Sequence, residues 1–369
     1  MNPFKYGCTV DGEYFCRRPA LERELASCIE SGQNVVIQGE RRTGKTSLVL
    51  ETVRRTKGVA LFHADLLCVR DRADLCRRLA SALGRLESGE GWLARVLRSL
   101  AHLRPFVAID PASGSPTVSV DARLAAEPDS VESVLDALIA QTAKRRICVV
   151  LDEFQDILDI DDGLRMLAVM RSRIQLDPRT PYVFLGSVQN RMSDIFWKHS
   201  SPFFHSAKAL RVGEIDADDF FKFLRGRFAT GKRVFPRELF DAVSAKARNI
   251  PGFVQELCDA IWQVSSPGDV LGDDTLRRGL ETIFARERDH YAFAVKSLTA
   301  LQTRVLAAIA ERGGREICSA AFMERAGTRN ATSAKKAVAK LEREDIVYFF
   351  EGEYRLTNPF FGEWMKRLP

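Results

Sequence analysis

The stretch from Gly39 to Thr46, GERRTGKT, constrains the fold of this chain more than any other. It satisfies the pattern G-x-x-x-x-G-K-[ST], in which two glycines let backbone N–H groups curl around phosphates. The apolar run NVVIQ before it is typical of a buried strand. A helix that begins near Lys45 would point the positive end of its dipole at the phosphates. The pattern therefore predicts a strand, a phosphate-binding loop and a helix, in that order.

Each position of this loop has a predicted task. Lys45 is expected to bridge the β- and γ-phosphates of a nucleoside triphosphate, and the Thr46 hydroxyl is expected to ligate Mg²⁺. The other loop residues are expected to surround the phosphates. The predicted nucleotide-binding residues of the loop are Gly39, Glu40, Arg41, Arg42, Thr43, Gly44, Lys45, Thr46 and Ser47.

Two consecutive acids follow an apolar strand in the later stretch VVLDEFQDIL. Ligands of open α/β sheets bind at the carboxyl ends of the strands, so Asp152 and Glu153 are expected at the ligand-binding edge. Asp152 can hold Mg²⁺ through water, and Glu153 can orient and polarise an attacking water. The second acid favours hydrolysis, because an enzyme that delivers a phosphoryl group to a bound substrate has no need to activate water.

Five apolar runs predict the strands of a parallel sheet, namely NVVIQ, VALFHAD, RICVVLD, YVFLGS and AKALRV. Helical patterns lie between them, so residues 1–212 are predicted to form an α/β core. Residues 105–120 break the alternation and predict a hairpin inserted into this core. Ser187 and Gln189, where the fourth strand ends, are candidates to sense the γ-phosphate or to place the water.

The pattern changes to helices after residue 213, and residues 213–291 are predicted to form a helical lid. Pro251, in a turn that opens one of these helices, is a candidate to approach the nucleotide. Residues 292–369 show three helices and then two short strands around the turn EGE, which is the pattern of a winged helix-turn-helix. The predicted fold class is thus a parallel-sheet P-loop core with a helical lid and a C-terminal winged helix.

The third helix of this winged helix, with the turn before it, carries side chains suited to phosphates or base edges. The candidate DNA-binding residues are Arg329, Asn330, Lys335, Lys336 and Lys340. The wing turn places Glu351 and Glu353 where a wing that contacts phosphates would be basic. Packing or contact with a protein is therefore the alternative use of this domain.

Composition sets limits on the chain. Its 369 residues, 46% apolar and 28% charged, predict two or three folded units and exclude a disordered or fibrous protein. The 55 basic and 49 acidic residues permit a polyanionic partner without arguing for one. The eight cysteines form no C-x-x-C pair, which predicts reduced and mostly buried thiols. No signal peptide or membrane-spanning run is evident, which predicts a cytoplasmic location and no membrane partner.

Several stretches occur in an informative order: EYFCRRPALERELASCI, GERRTGKTSL, VVLDEFQDI, FLGSVQNRMSDIF, SPFF and IPGFVQEL. Together they resemble the archaeal-type ATPases of the AAA+/STAND group, which are relatives of the initiator ATPases of DNA replication. The resemblance covers nearly the whole chain and implies binding of ATP or ADP with Mg²⁺. It also implies that the sensor strand, with Ser187, lies between the two Walker strands, and that Arg17 and Arg18 lie near the adenine site.

Two departures from the family pattern bear on the rate of hydrolysis. The chain has His205 and Ser206 where family members often carry glycine and arginine, and its IPG turn lacks the arginine of ordinary sensor-2 helices. Arg171, Arg173 and Arg191 are candidate substitutes, although arginines on a helix surface are usually solvated. Because an arginine finger can contribute about 10³ to 10⁵ in rate, these absences predict an ATPase that is slow without a partner.

Two functions of different classes remain open on this reading. The first is an ATP-hydrolysing switch that acts on double-stranded DNA or on a DNA-bound assembly. The second is a nucleotide-bound scaffold that recruits a protein through the winged helix and hydrolyses little or nothing. A protein partner or a homo-oligomer is a further expectation. A P-loop kinase is disfavoured because two acids end the strand before Phe154 and no acceptor site is recognisable.

Overall fold

The computed structural model describes residues 2–86, 100–109, 116–125, 130–186 and 189–367. The chain divides into two compact units, of which one is Arg17–Gly213 and the other combines Met1–Cys16 with Glu214–Pro369. Among the helices in these described ranges, none is both long enough and apolar enough to cross a bilayer.

The strands described in the unit Arg17–Gly213 are β1 (Val35–Gln38), β2 (Ala60–Asp65), β3 (Phe106–Ile109), β4 (Pro116–Ser119), β5 (Ile147–Asp152), β6 (Tyr182–Leu185) and β7 (Lys208–Arg211). Five of them form a parallel sheet in the order β2-β5-β6-β1-β7. The predicted parallel core is thus confirmed, and the predicted sensor strand β6 does lie between β1 and β5. Side chains along β1, β5 and β6 are almost fully buried, because helices cover both faces of the sheet.

The helices described in this unit are α1 (Pro19–Ser31), α2 (Lys45–Arg55), α3 (Arg72–Leu86), α4 (Ala122–Ala125), α5 (Ser130–Thr142), α6 (Gly163–Gln175) and α7 (Gln189–Phe196). Short 3₁₀ helices span Ala101–Leu103 and Phe154–Asp159. The second of these follows the acids that end β5, and Phe154 packs against Phe184 with ring centroids 4.7 Å apart. This aromatic contact anchors the turn after β5 to the neighbouring strand β6.

The strands β3 and β4 pair antiparallel, with Phe106 opposite Ser119. They lie within residues 105–120, where the sequence predicts an inserted hairpin. The pair packs on α3. Val118 of β4 lies so close to Gly84 of α3 that a Cβ atom on this glycine would be only 2.9 Å from a methyl carbon of Val118. The hairpin therefore rests on a helix and stays outside the parallel sheet.

The second unit begins with a 3₁₀ helix at Gly12–Tyr14 and continues with helices from residue 217 onward. These are α8 (Ala217–Ala229), α9 (Arg237–Lys246), α10 (Pro251–Gln263), α11 (Asp273–Lys296), α12 (Ala300–Arg312), α13 (Ala320–Arg325), α14 (Ala331–Arg343) and α15 (Pro359–Met365), with the strands β8 (Val347–Phe350) and β9 (Glu353–Leu356) between α14 and α15. Helices α12 to α14 followed by the antiparallel pair β8–β9 form the predicted winged helix. Helix α15 was not predicted from the sequence.

One continuous apolar core joins the helical part of this unit to the winged helix. The rings of Phe253 on α10 and Phe360 on α15 lie 5.6 Å apart at an edge-to-face angle. Lys246 Nζ lies 2.5 Å from a carboxylate oxygen of Glu363. The sequence boundary at residues 291 and 292 thus falls inside a packed region, and the three-part division of the chain stays a prediction.

Candidate nucleotide site

The loop between β1 and α2 has backbone requirements that explain its glycines. A Cβ atom on Gly39 would lie 2.5 Å from the carbonyl oxygen of Val212, so the loop passes too close to the residue after β7 to carry a side chain here. Gly44 caps α2 with φ 84°, a left-handed conformation that glycine adopts readily. Thr43 Oγ donates a hydrogen bond of 2.8 Å to the carbonyl of Glu40, which closes the loop on itself.

Lys45 is the first residue of α2, and its side chain is buried with only 8% exposure of the residue. Its Nζ atom donates to the carbonyl oxygens of Gly39 at 3.0 Å and Glu40 at 2.9 Å, so it lies across the loop. Burial lowers the pKa of Lys45 to about 8, and the nearby carboxylates of Glu153 and Asp152 act in the opposite direction. A buried ammonium that donates to two neutral carbonyls is a strong position for a phosphate.

The pKa of Lys45 predicts a pH dependence for the binding of a triphosphate. Below about pH 8 the side chain carries its charge, and above this pH the charge is lost. We expect the affinity for a fluorescent ATP analogue to fall by about tenfold between pH 7 and pH 9, since the protonated fraction falls by that factor. The Lys45→Met variant should bind weakly with no such fall. A wild-type affinity that is level across this range would contradict the role of the ammonium.

The same pKa has a consequence for folding. An unfolded lysine titrates near 10.5, so between about pH 8 and that value the unfolded chain binds more protons than the folded one. The contribution of Lys45 to the free energy of unfolding therefore rises with pH through this window, and it is lowest below about pH 8. The lysine thus lowers the stability of the folded protein at neutral pH.

Asp152 ends β5 beside the loop. Its Oδ2 atom accepts a hydrogen bond of 2.7 Å from the Thr46 hydroxyl and lies 3.9 Å from Nε2 of His63 on β2. Desolvation acts to raise the pKa of Asp152, but the His63 imidazole and the Thr46 hydroxyl outweigh it, and the pKa lies below its usual value. Asp152 therefore stays ionised. Its carboxylate oxygen and the Thr46 hydroxyl oxygen lie next to each other at the end of the loop.

Glu153 occupies a tight turn, with φ 49°, between β5 and the following 3₁₀ helix. Its backbone N–H donates 3.0 Å to Oδ1 of Asp152, which orients the first acid. Its own Oε2 atom accepts a hydrogen bond of 2.7 Å from the side-chain amide of Gln155. The two acids are thus fixed by neighbours in the same turn.

Arg17 and Arg18 immediately precede α1. The guanidinium of Arg18 is buried and donates to the carbonyl oxygens of Thr43 and Gly213, both at 2.7 Å. Arg17 Nε and the backbone N–H of Arg18 both donate to the carboxylate of Glu22, each at 2.6 Å to one of its oxygens. Arg18 therefore stabilises the phosphate loop through its contact with Thr43. The predicted contact of both arginines with adenine stays a prediction.

The three remaining site candidates lie in different parts of the chain. Ser187 lies outside the described residues, and Gln189 begins α7 directly after that gap. Pro251 is the first residue of α10 in the other compact unit, where it is buried. The predicted roles of these three residues at the nucleotide stay predictions.

Two of the candidate substitute arginines are already engaged in ion pairs. Arg191 makes a two-pronged contact with Asp159, at 2.7 and 2.8 Å. Arg173 pairs with the carboxylates of Glu132 and Asp136. Each would have to break these contacts before it could serve a nucleotide.

The candidate DNA-binding residues lie on and before α14. Asn330 caps this helix, because its Oδ1 atom accepts from the N–H groups of Thr332 and Ser333 at 2.9 and 3.2 Å. Arg329, Lys335 and Lys336 are exposed. Lys340 forms an ion pair with Glu344 one turn along α14, and Glu353 in the wing lies 3.5 Å from the guanidinium of Arg355. Asn330 therefore has a structural task, and the exposed cations are the better candidates.

His63 and Gln155 are neighbours of the two acids that the sequence prediction missed. Nε2 of His63 is buried and has no hydrogen-bond partner among the described residues. A sequence signal exists for His63, since it is a polar residue inside the otherwise apolar strand ALFHA, whereas Gln155 lies among other polar residues in DEFQD and does not stand out. The strand pairing that places His63 beside Asp152 could not be read from one sequence.

The chain is similar to known proteins in its C-terminal sequence and in its overall fold. Residues 289–367 match the family model described as "Probable winged helix domain". A Walker-type ATPase of Pyrococcus abyssi superposes with TM-score 0.66 at 16% identity, over 99% of both chains. The chain has the fold of a Walker-type ATPase. No curated protein sequence matches it.

Two structures from Aeropyrum pernix are similar to this chain over most of its length. The ORC1 protein of Aeropyrum pernix in complex with DNA superposes with TM-score 0.50 at 16% identity, over 96% of this chain and 93% of that one. The ORC2 protein of the same organism gives TM-score 0.51 at 15% identity, over 94% and 91%. At these identities the likeness confirms the resemblance at the level of the fold.

Proposed function

We propose that this protein is a Mg²⁺-dependent ATPase that acts as a molecular switch. The observation that carries the proposal is the 2.7 Å hydrogen bond between Thr46 and Asp152, made beside the buried ammonium of Lys45. Two oxygen ligands and one cation converge where the loop and the strand end meet. Glu153 supplies a second carboxylate at the same place.

The residues present fit a nucleotide with its metal ion. A hydroxyl and an ionised carboxylate are oxygen ligands of the kind that Mg²⁺ prefers. Thr46 and Asp152 would hold the ion, directly or through water, and the ion would neutralise phosphate charge. The absence of a side chain at Gly39 lets the loop pass close to the Val212 backbone, and Lys45 adds a positive charge to the loop.

Hydrolysis needs a group that prepares water, and Glu153 is the candidate. Its carboxylate is held by Gln155 and by the turn, and it lies close enough to Lys45 to be the charge that most strongly favours the protonated lysine. A carboxylate in this position can accept a proton from an attacking water as the new P–O bond forms. The second acid therefore favours a hydrolase over a protein that only retains ATP.

The rate is expected to be low in the isolated protein. Arg191 and Arg173 are tied up in ion pairs, and the family's glycine and arginine after SPFF are replaced by His205 and Ser206. This observation also favours the second candidate, a scaffold that binds ATP, recruits a protein and hydrolyses little. Multiple turnover by the isolated chain distinguishes the two, because a scaffold would retain its nucleotide.

The proposed target is double-stranded DNA, reached through the winged helix. Arg329, Lys335 and Lys336 present exposed positive charge on and before α14, and the similarly folded ORC1 protein was solved with DNA. The bound triphosphate would favour one conformation of the chain, and hydrolysis would remove this preference. A protein partner or a second copy of the chain could act in the same cycle.

The test of the DNA proposal is duplex binding over a salt series, with ATP turnover measured alongside. Affinity should fall steeply as salt rises, because phosphate contacts release counterions. We expect the Lys335→Ala/Lys336→Ala variant to reduce the slope of log affinity against log salt by about two. Lys222→Ala, which removes an exposed lysine from α8, is the control and should leave the slope unchanged. Absence of binding at low salt, or binding that salt does not weaken, would overturn the DNA proposal.

A further inference from the structure

The side chain of Gln155 is buried in the turn that carries Glu153, with 1% exposure. Its Nε2 atom donates to two carboxylates, to Oε2 of Glu153 at 2.7 Å and to Oδ1 of Asp156 at 2.9 Å. An amide nitrogen carries two N–H groups, so one goes to each acid. The Gln155 amide therefore links the proposed catalytic carboxylate to a second, buried one.

The oxygen end of the Gln155 amide packs against Gly186, the residue that follows β6. A Cβ atom on Gly186 would lie 2.4 Å from Oε1 of Gln155 and 2.5 Å from the Met192 side chain, so both side chains pack directly against the Gly186 backbone. Within the described ranges, Oε1 has no hydrogen-bond partner. The amide is thus confined between the end of the sensor strand and the turn, and its nitrogen points to Glu153.

Asp156 is itself held in place by other parts of the unit. Its Oδ2 atom accepts a hydrogen bond of 2.7 Å from the backbone N–H of Cys68, in the loop after β2. Its Oδ1 atom lies 3.8 Å from the guanidinium of Arg191 on α7. Gln155 is therefore anchored through Asp156 to elements on both sides of β5.

We propose that Gln155 is a positioning residue for hydrolysis, which holds the Glu153 carboxylate toward the phosphate loop. This inference rests on the proposed ATPase function. A hydrogen bond to an ionised carboxylate is strong and directional, and a side chain displaced by about 1 Å can lose about 10²-fold in rate. Loss of the amide should therefore slow hydrolysis without weakening the binding of ATP, since Gln155 does not belong to the loop.

Gln155→Met removes the amide and keeps the length of the side chain. We expect kcat to fall by about 10- to 100-fold, while the affinity for an ATP analogue stays within about twofold. Gln141→Met is the matched control, because Gln141 is a buried glutamine of α5 in the same unit. It should leave kcat within about twofold, whereas a general loss of packing would lower the rate in both variants.

A double-mutant cycle separates positioning from a structural role. In the Glu153→Gln background there is no carboxylate left to position, so adding Gln155→Met should change the residual single-turnover rate by less than about twofold. An additive loss in this background would show that Gln155 acts on the site independently of Glu153, and it would overturn the inference.

A second readout needs no turnover. In protein labelled with ¹⁵N-glutamine and free of nucleotide, Glu153→Gln should shift the side-chain amide resonance of Gln155, which is assigned with Gln155→Asn. If Gln155→Met does not fold, this resonance decides alone, and the absence of a shift would refute the contact.

If the wild-type protein turns over ATP and the rate of Gln155→Met is unchanged, only the inference fails. If the wild type does not turn over ATP, the proposed function is wrong and the inference falls with it.

Discussion

Replacing Glu153 by glutamine is expected to lower steady-state ATP turnover by at least about 100-fold, which is the lower range of a general-base contribution. The amide keeps the size of the side chain but cannot accept the proton of the attacking water. Phosphate release under saturating ATP measures this loss. The affinity for ATP should change by less than about threefold, because the phosphates are held by the loop and the start of α2.

The matched control for this variant is Glu132→Gln. Glu132 is a carboxylate of α5 in the same unit, paired with Arg173 and outside the nucleotide site. Its replacement should leave turnover within about twofold, as surface changes away from a site usually do. A Glu153→Gln variant that turns over ATP at the wild-type rate would show that another group prepares the water.

Replacing Lys45 by methionine is expected to weaken ATP binding by about 100-fold or more. Hydrogen bonds that involve a charged group contribute about 1.5–3 kcal/mol each, and 2.8 kcal/mol corresponds to about 100-fold in affinity. Titration with a fluorescent ATP analogue measures the change. The affinity for AMP, which lacks the phosphates that Lys45 would contact, should be the same in both proteins.

Lys45→Met should weaken ATP binding, but it should not lower the thermal stability of the folded protein. The folded protein buries this ammonium, and its lowered pKa shows that burial disfavours the charge. Methionine is of similar length and carries no charge, so thermal unfolding at pH 7 should occur at the same or a higher temperature. An unfolding temperature clearly below that of the wild type would contradict this account of the buried ammonium.

Much of the fold was predictable from local patterns. The run from Val35 to Gln38, the glycines of the loop and the helix from Lys45 each follow from residue preferences over a few positions. The five parallel strands and the winged helix were found because their apolar runs are separated by clear turn and helix signals. Helix α15 was missed because its seven residues, PFFGEWM, are too short for a periodic pattern.

The candidate site was predictable only in part, because its second layer depends on tertiary pairing. Lys45, Thr46, Asp152 and Glu153 could be assigned from motifs. His63 reaches Asp152 through the parallel pairing of β2 with β5, which no local pattern of the sequence encodes.

The continuity of the apolar core across residues 291 and 292 could not be predicted from the sequence either. It arises from contacts such as Phe253 with Phe360, which are distant along the chain. Residue patterns indicated where the helical segment gives way to the winged helix, but they carried no information on whether the two pack together.

The central claim is that this site hydrolyses ATP, and phosphate release by the purified wild-type protein with ATP and Mg²⁺ tests it most directly. Lys45→Met serves as the blank for contaminating activity. The account predicts slow release that continues well beyond one phosphate per protein molecule and that both Lys45→Met and Glu153→Gln abolish. Release that stops at or below one equivalent, or that persists unchanged in Lys45→Met, would contradict it.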